Sequence, residues 1–308
     1  SMIRTNERKS EIRYYAKQRG FGSTVKNTLA SSHQLIVQGL TRVEKKLTKN
    51  EQNEVAVVIN QTDVTRDGLG EGVELISESI HITGHMGAKS HVEGKDVTID
   101  GATHNEALVT AKNAEVNRHK GTLRCHKAHV KSLEGGTIYA THVHIDTALG
   151  GQVYAEHVTI KSLKHNLKVF ASRTITIERI LGEDNHFVID YRKIPVIQSK
   201  LKFLNDEKND IKWEYDDAKK HSPAKLENLK TELAKKEEEI DAIKLCHHDA
   251  VITIMAPITG HNIIEFCIPE KQTSLIYRTN EAQKFEPFHL DTTEDHIILE
   301  PVGVKIEL

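Results

Sequence analysis

Residues Thr122 to Leu163 write nearly the same unit three times, TLRCHKAHVKSLEGG, TIYATHVHIDTALGG and QVYAEHVTIKSL. A short fixed period constrains a fold severely, because each unit is too small to bury its own apolar face and must stack on its neighbours. Aligning the copies places an apolar residue at Leu123, Ile138 and Val153, and a small one two places on at Cys125, Ala140 and Ala155. Two further inward positions follow, at Ala128, Val143 and Val158 and at Val130, Ile145 and Ile160. The alternation is of period two, β-branched residues dominate it, and fifteen residues cannot hold a pair of helices, so each unit reads as strands of a β-solenoid.

With slips of one or two residues the pattern extends in both directions. Upstream it reads Leu75, Ser77, Ile80 and Ile82, then Val92, Gly94, Val97 and Ile99, then Leu108, Thr110, Ala114 and Val116; downstream it reads Val169, Ala171, Ile175 and Ile177. Seven turns are expected from about Glu74 to Ile180, a rod of roughly 30–35 Å at about 4.8 Å per turn. The pairs Gly135-Gly136 and Gly150-Gly151 mark a corner expected to need positive φ. Small residues at the second inward position imply a narrow lumen.

At Tyr191 the grammar changes to mixed charge and heptads. Ile197, Leu201, Leu204, Lys208, Ile211, Tyr215 and Ala218 form one stripe, and Leu226, Leu229, Leu233, Lys236, Ile240 and Ile243 form another. These are the seams of two helices, interrupted by Lys208 and Lys236, which snorkel or set register. Between them KKHSPAK offers Ser222 as a cap and Pro223 as a first helical residue. So short a turn returns the second helix antiparallel, giving an arm about 35 Å long; pairing of the stripes between two chains, a homodimer, is the alternative. Trp213 and Tyr215 read equally as a recognition face or as seam packing. Strand-like runs resume in DAVITIMAPITG, NIIEFCI, TSLIYRT and HIILEPVGVKIEL. The expected divisions are 1–72, a leading cap; 73–190, the parallel β-helix; 191–248, the coiled-coil hairpin; and 249–308, a C-terminal β segment packing on the β-helix and covering its open edge.

Composition bears mainly on what is excluded. Lys plus Arg number 42 and Asp plus Glu 44, a net charge of -2, so no global field favours nucleic acid or an anionic membrane. The basic lean of the first 46 residues is read as a polar leading segment. Cys125, Cys246 and Cys267 are far apart and fit neither a disulfide framework nor a zinc cluster, so a reducing cytoplasm is expected. No apolar run reaches the roughly 20 residues of a membrane span. The opening Ser-Met reads as an expression remnant, and the natural protein is expected to begin earlier.

The chain carries 19 histidines. In the repeat frame His142 and His157 share one outward position, and His129 and His144 another. A metal needs three or four converging ligands at about 2.0–2.1 Å, and ladders do not converge by themselves, so a solvated face is the reading and no metal ligand is assigned. His142 and His144 with His129 or His157 are the residues a surface site would use. His247-His248 at the arm's base has no third ligand nearby in sequence. Cys125 occupies an inward slot and reads as core. Glu134, Asp146 and Glu156 fall at different places in the frame, the hexapeptide rule of solenoid acyltransferases is not met, and no GxSxG, HExxH, P-loop or GxGxxG motif is present. No catalytic or cofactor-binding residue is therefore expected.

The order of segments, with HKGTLRCHKAHVKSLEGGTIYATHVHIDTALGGQVYAEHVTI, a two-helix insertion and ITIMAPITGHN, resembles the flagellar assembly protein A (FapA) family from about Val73 to Leu308. The resemblance implies a right-handed parallel β-helix with a protruding coiled-coil hairpin. It also implies a non-enzymatic bacterial cytoplasmic scaffold without cofactor, associated in some species with polar flagellar assembly and the binding of regulatory protein partners. No nucleic acid and no membrane insertion is expected. The repeat here is richer in histidine and poorer in glycine than in many members. A self-assembling, bactofilin-like scaffold is the first alternative, and a solenoid enzyme or histidine-based metal protein the second.

Overall fold

Alternating apolar residues on strands too short to fold back on themselves bury their side chains by stacking on the next turn. The computed structural model describes residues 14–15, 43–47, 55–59, 67–258, 260–279, 288–291 and 296–299, and its main element is this stack. On the first side of each turn Leu123 pairs in parallel with Ile138, and Ile138 with Val153. On the second side Ala128 to Val130 lies on Val143 to Ile145 and then on Val158 to Ile160. A short third side stacks Leu133, Ala148 and Leu163. Seven such turns run from Glu74 to Ile180, as the repeat implies. The protein is mainly β, and the interior of the stack is one continuous apolar core.

On the two long sides every file is legible in the repeat except in one turn. There the inward residues are Val109 and Ala111, which follow Val92 and Gly94 in register, and not Leu108 and Thr110. Val109 is fully buried. Two apolar neighbours make the alternation ambiguous at this point, but within this turn the five-residue step seen from Leu123 to Ala128 is kept from Val109 to Ala114 and not from Leu108. The small file is Ala140, Ala155 and Ala171, and it widens to Ile189 and Phe266 as the solenoid ends.

The glycine corners work in two ways. Gly135, Gly150 and Gly151 have φ of 90°, 126° and 117°. Gly136 does not share that conformation; it is needed because a Cβ there would lie 2.8 Å from the Gly121 carbonyl oxygen. In the last turns the same corner is held by asparagine. Buried Asn185 accepts from the Leu167 N–H at 3.1 Å and donates to the Asn262 Oδ1 at 2.9 Å.

The stack is longer than the 73–190 expected from its period. Ala56 to Ile59 pairs in parallel with Ser79 to Ile82, so part of the leading segment belongs to the ladder. After the helices, Val251 to Ile254 lies on Thr174 to Ile177, and Asn262 to Phe266 on Asn185 to Ile189. The C-terminal β segment thus begins as further turns of the same ladder. A sequence period loses such turns because long insertions at a corner break the count while leaving the spatial register intact. Antiparallel strands flank both ends: Tyr14–Tyr15 on Leu75 and Glu74, Val43–Leu47 on Val55–Ile59, Thr273–Thr279 on Asn262–Ile268, and Phe288–Asp291 on the last second-side strand. The expected strands in 300–308 lie outside the described residues.

Two helices, α1 (Pro195–His221) and α2 (Leu226–Lys244), leave the stack between Ile189 and Val251. Their least exposed positions include every residue of the two heptad stripes. At the root, Ile197, Leu201 and Leu204 of α1 share a buried cluster with Ile240 and Ile243 of α2 and with Tyr191 and Cys246. The interrupting lysines pair across the helices, Lys208 with Glu237 at 2.7 Å and Lys236 with Glu207 at 2.8 Å. The connection departs from the expected cap: the Ser222 side chain makes no cap hydrogen bond, and Pro223 opens a 3-10 turn, Pro223–Lys225, ahead of α2. Among the described residues no helix is long and apolar enough to cross a membrane.

Candidate functional site

Because strand residues alternate in and out, the residues between the inward files of the second side form outward columns at strand spacing. His142 stacks on His157 with ring centroids 4.9 Å apart and 18° between planes. His129 meets His144 edge-on at 5.1 Å. Both columns are those the repeat frame assigns. They line an open groove of about 570 Å³ that continues over Asp96, Asn113 and Glu115.

The pleat also brings in an acid the frame did not connect with them. Asp146 lies 3.4 Å from the His129 Nε2 and 3.2 Å from the His144 Nε2, and the three ligand atoms fall within 4.8 Å of one another. Asp146 already has a cation, however, the Lys161 ammonium at 2.8 Å. That hydrogen bond, against the opposing effect of burial, holds its carboxyl below the usual range. Burial and the neighbouring His142 push the His157 imidazole down. A carboxylate engaged by lysine is a poor ligand, so the geometry is that of a polar, partly charged face. Glu134 is likewise matched, in a forked pair with Arg118 at 2.9 and 3.0 Å.

On the first side an aromatic column runs outward, Tyr139 on Tyr154 and Tyr154 on Phe170, each at 4.9 Å and nearly parallel. Its register follows from the repeat frame. The thiols are not poised for nucleophilic work: burial pushes Cys125 and Cys267 up to about 12 and Cys246 up to about 11.

The second histidine pair gains a partner the sequence did not offer. His247 and His248 sit on the 3-10 turn Cys246–Asp249, between α2 and the strand Val251–Ile254. Glu270 arrives on the turn Pro269–Lys271, which connects Asn262–Ile268 to Thr273–Thr279. Its Oε1 is 2.9 Å from the His247 Nε2 and 2.8 Å from the His248 Nε2. The His247 side chain is 1% exposed, and burial pushes its imidazole down in spite of the nearby Glu270. Burial alone would raise the Glu270 carboxyl, but its own backbone N–H and the two imidazoles hold it below the ordinary value.

On α1, Tyr215 and Trp213 part company. Tyr215 belongs to the half-buried stripe, with the Lys219 ammonium 4.5 Å from its ring centroid. Trp213 is 78% exposed, and Phe203 on the same helix is 60% exposed.

No family model, curated protein or solved structure matches the chain.

Proposed function

We propose that the chain is a non-enzymatic scaffold of the kind implied by its resemblance to the FapA family. In this reading a right-handed parallel β-helix presents an antiparallel coiled-coil arm to protein partners in the bacterial cytoplasm, at the cell pole during flagellar assembly. The observation that carries it is the continuity of the ladder beneath the arm. Thr174 pairs with Val251 and Asn185 to Ile189 lies on Asn262 to Phe266, so the segment between Ile189 and Val251, which holds both helices, adds nothing to the stacking and leaves from a finished corner. An excursion of that size which the core does not need is retained for what its surface meets. The exposed Trp213 and Phe203 are residue types that anchor protein interfaces. The antiparallel sense is supported by the shared cluster of Ile194, near the start of α1, with Cys246, just past the end of α2. The right-handed sense follows the usual hand of connections between parallel strands.

The test is affinity capture from native bacterial cytosol. It compares the intact chain, a chain whose residues 196–246 are replaced by a short loop, and the surface variant Phe203→Ala with Trp213→Ala. Partners held by the intact chain should be lost from both variants while the β circular-dichroism signal persists. Retention of the same partners by both overturns the arm as the recognition element.

A further inference from the structure

The root of the arm and the end of the solenoid meet at three side chains whose lone pairs converge. We propose that His247, His248 and Glu270 form a site for a borderline divalent transition ion of the zinc class, which fastens the arm to the terminal turn. The donor set is two imidazole nitrogens and a carboxylate oxygen, one of the combinations that zinc takes with a fourth position left to water. All three ligand atoms lie within 4.8 Å of one another.

The surroundings of His247 favour a ligand over a simple hydrogen bond. Its Nδ1 lies 3.1 Å from the Lys244 carbonyl oxygen and donates its proton there. A backbone carbonyl on the far nitrogen is the usual partner of a metal-bound histidine, since it fixes the tautomer and aims the other nitrogen. With Nδ1–H so engaged, the Nε2 of a neutral ring presents a lone pair, and what it faces at 2.9 Å is the Glu270 Oε1, a second acceptor. His248 adds a second approach to the same oxygen at 2.8 Å. Two acceptors at that distance repel unless a proton or a cation lies between them. Tetrahedral ligands at about 2.0–2.1 Å from a common ion are about 3.3 Å apart. Each of the two distances to Glu270 therefore has to open by only about half an ångström.

Access comes from the outer side, where His248 and Glu270 have side chains 32% and 37% exposed. The solenoid-face group His129, His144 and Asp146 lacks these features. Its histidines are more exposed, and its carboxylate is engaged by Lys161 at 2.8 Å. The structural consequence follows from the two turns that supply the ligands. Cys246–Asp249 ends the arm and Pro269–Lys271 opens the capping strand, so a bound ion ties together two corners 23 residues apart in sequence.

The experiment is calorimetric titration of the chelator-treated full chain with zinc, repeated with cobalt(II) to read the visible bands of a four-coordinate nitrogen and oxygen site. One ion per chain is expected, with a thermal midpoint that rises with free zinc. Because His247 is buried and its loss would disturb packing, the variants are Glu270→Gln and His248→Ala, each expected to weaken binding at least about tenfold. His129→Ala with Asp146→Ala should leave binding unchanged. The proposal is overturned if the wild-type chain takes up no zinc. It is equally overturned if binding survives Glu270→Gln and His248→Ala, or is lost only in the solenoid-face variant.

Discussion

On the third side of the solenoid, the inward slot of Leu133, Ala148 and Leu163 is held one turn earlier by His119, paired in register with Leu133 and fully buried. Its Nε2 lies 3.2 Å from the Thr137 carbonyl oxygen and must carry the proton, so Nδ1 accepts from the Thr103 hydroxyl at 3.0 Å. That hydroxyl oxygen in turn accepts the N–H groups of Lys120 and Gly121. A second proton on the ring would aim a third donor at the same oxygen. Burial accordingly pushes the imidazole down to about 4. The unfolded chain takes up that proton near pH 6.5 and the folded chain does not, so stability is lost as pH falls from about 6.5 to about 4 and changes no further below that. The loss amounts to about 3 kcal/mol. His119→Leu, which matches the neighbouring file, is expected to shrink the fall in thermal midpoint between about pH 7 and pH 4.5 relative to wild type, at the cost of about 1–2 kcal/mol at pH 7 for the abandoned partners. An unchanged acid response would place the sensitivity elsewhere, on the outward histidine columns. The fifteen-residue frame could not show this residue. Strand alternation marks the two long sides only, and the step from His119 to Leu133 is fourteen residues, so a strict period sets His119 over Glu134 instead.

At the scale of elements, the two heptad stripes were legible because the less exposed face of a helix repeats at a fixed spacing over several turns, and every stripe residue is buried or half-buried. The root triad was not legible, because its third member comes from a different element. Glu270 lies 22 residues beyond His248, and the antiparallel return of Thr273–Thr279 on Asn262–Ile268 forms the corner that meets the turn after α2. The seam lysines show what a polar residue at such a position does. Lys208 and Lys236 reach across to Glu237 and Glu207, and these reciprocal pairs favour one register over its neighbours while contributing little stability in themselves. The double variant Lys208→Leu with Lys236→Leu is therefore expected to raise the helical melting midpoint, read at 222 nm, by a few degrees. It should also make the chain prone to associate, because an apolar seam no longer distinguishes its own partner from a second chain. A lower midpoint with no change in mass would show that the lysines act chiefly through stability.

For the molecule as a whole, the decisive feature is what happens at the ends of the ladder. A parallel stack exposes a full row of backbone donors and acceptors on its last strand, and an identical chain arriving end-on could continue it, which is how a bactofilin-like polymer would grow. Here the last first-side strand, Asn262–Ile268, is paired along its length with antiparallel Thr273–Thr279, and Val251 and Ile252 at the start of the last second-side strand pair with His289 and Phe288 of antiparallel Phe288–Asp291. An antiparallel strand ends the repeat, because its own free edge presents the wrong direction for the next turn of a parallel solenoid. Phe288 and Leu290 then seal the apolar lumen from that end. The intact chain should accordingly remain a single small species in light scattering as its concentration rises. A chain ending at Lys271, which loses both covering strands while keeping the turns beneath them, should grow in mass with concentration and retain a β circular-dichroism spectrum. Growth of the intact chain would overturn the capping argument in favour of end-to-end assembly. If the shortened chain stays small and folded, the parallel edge is guarded by something other than these strands.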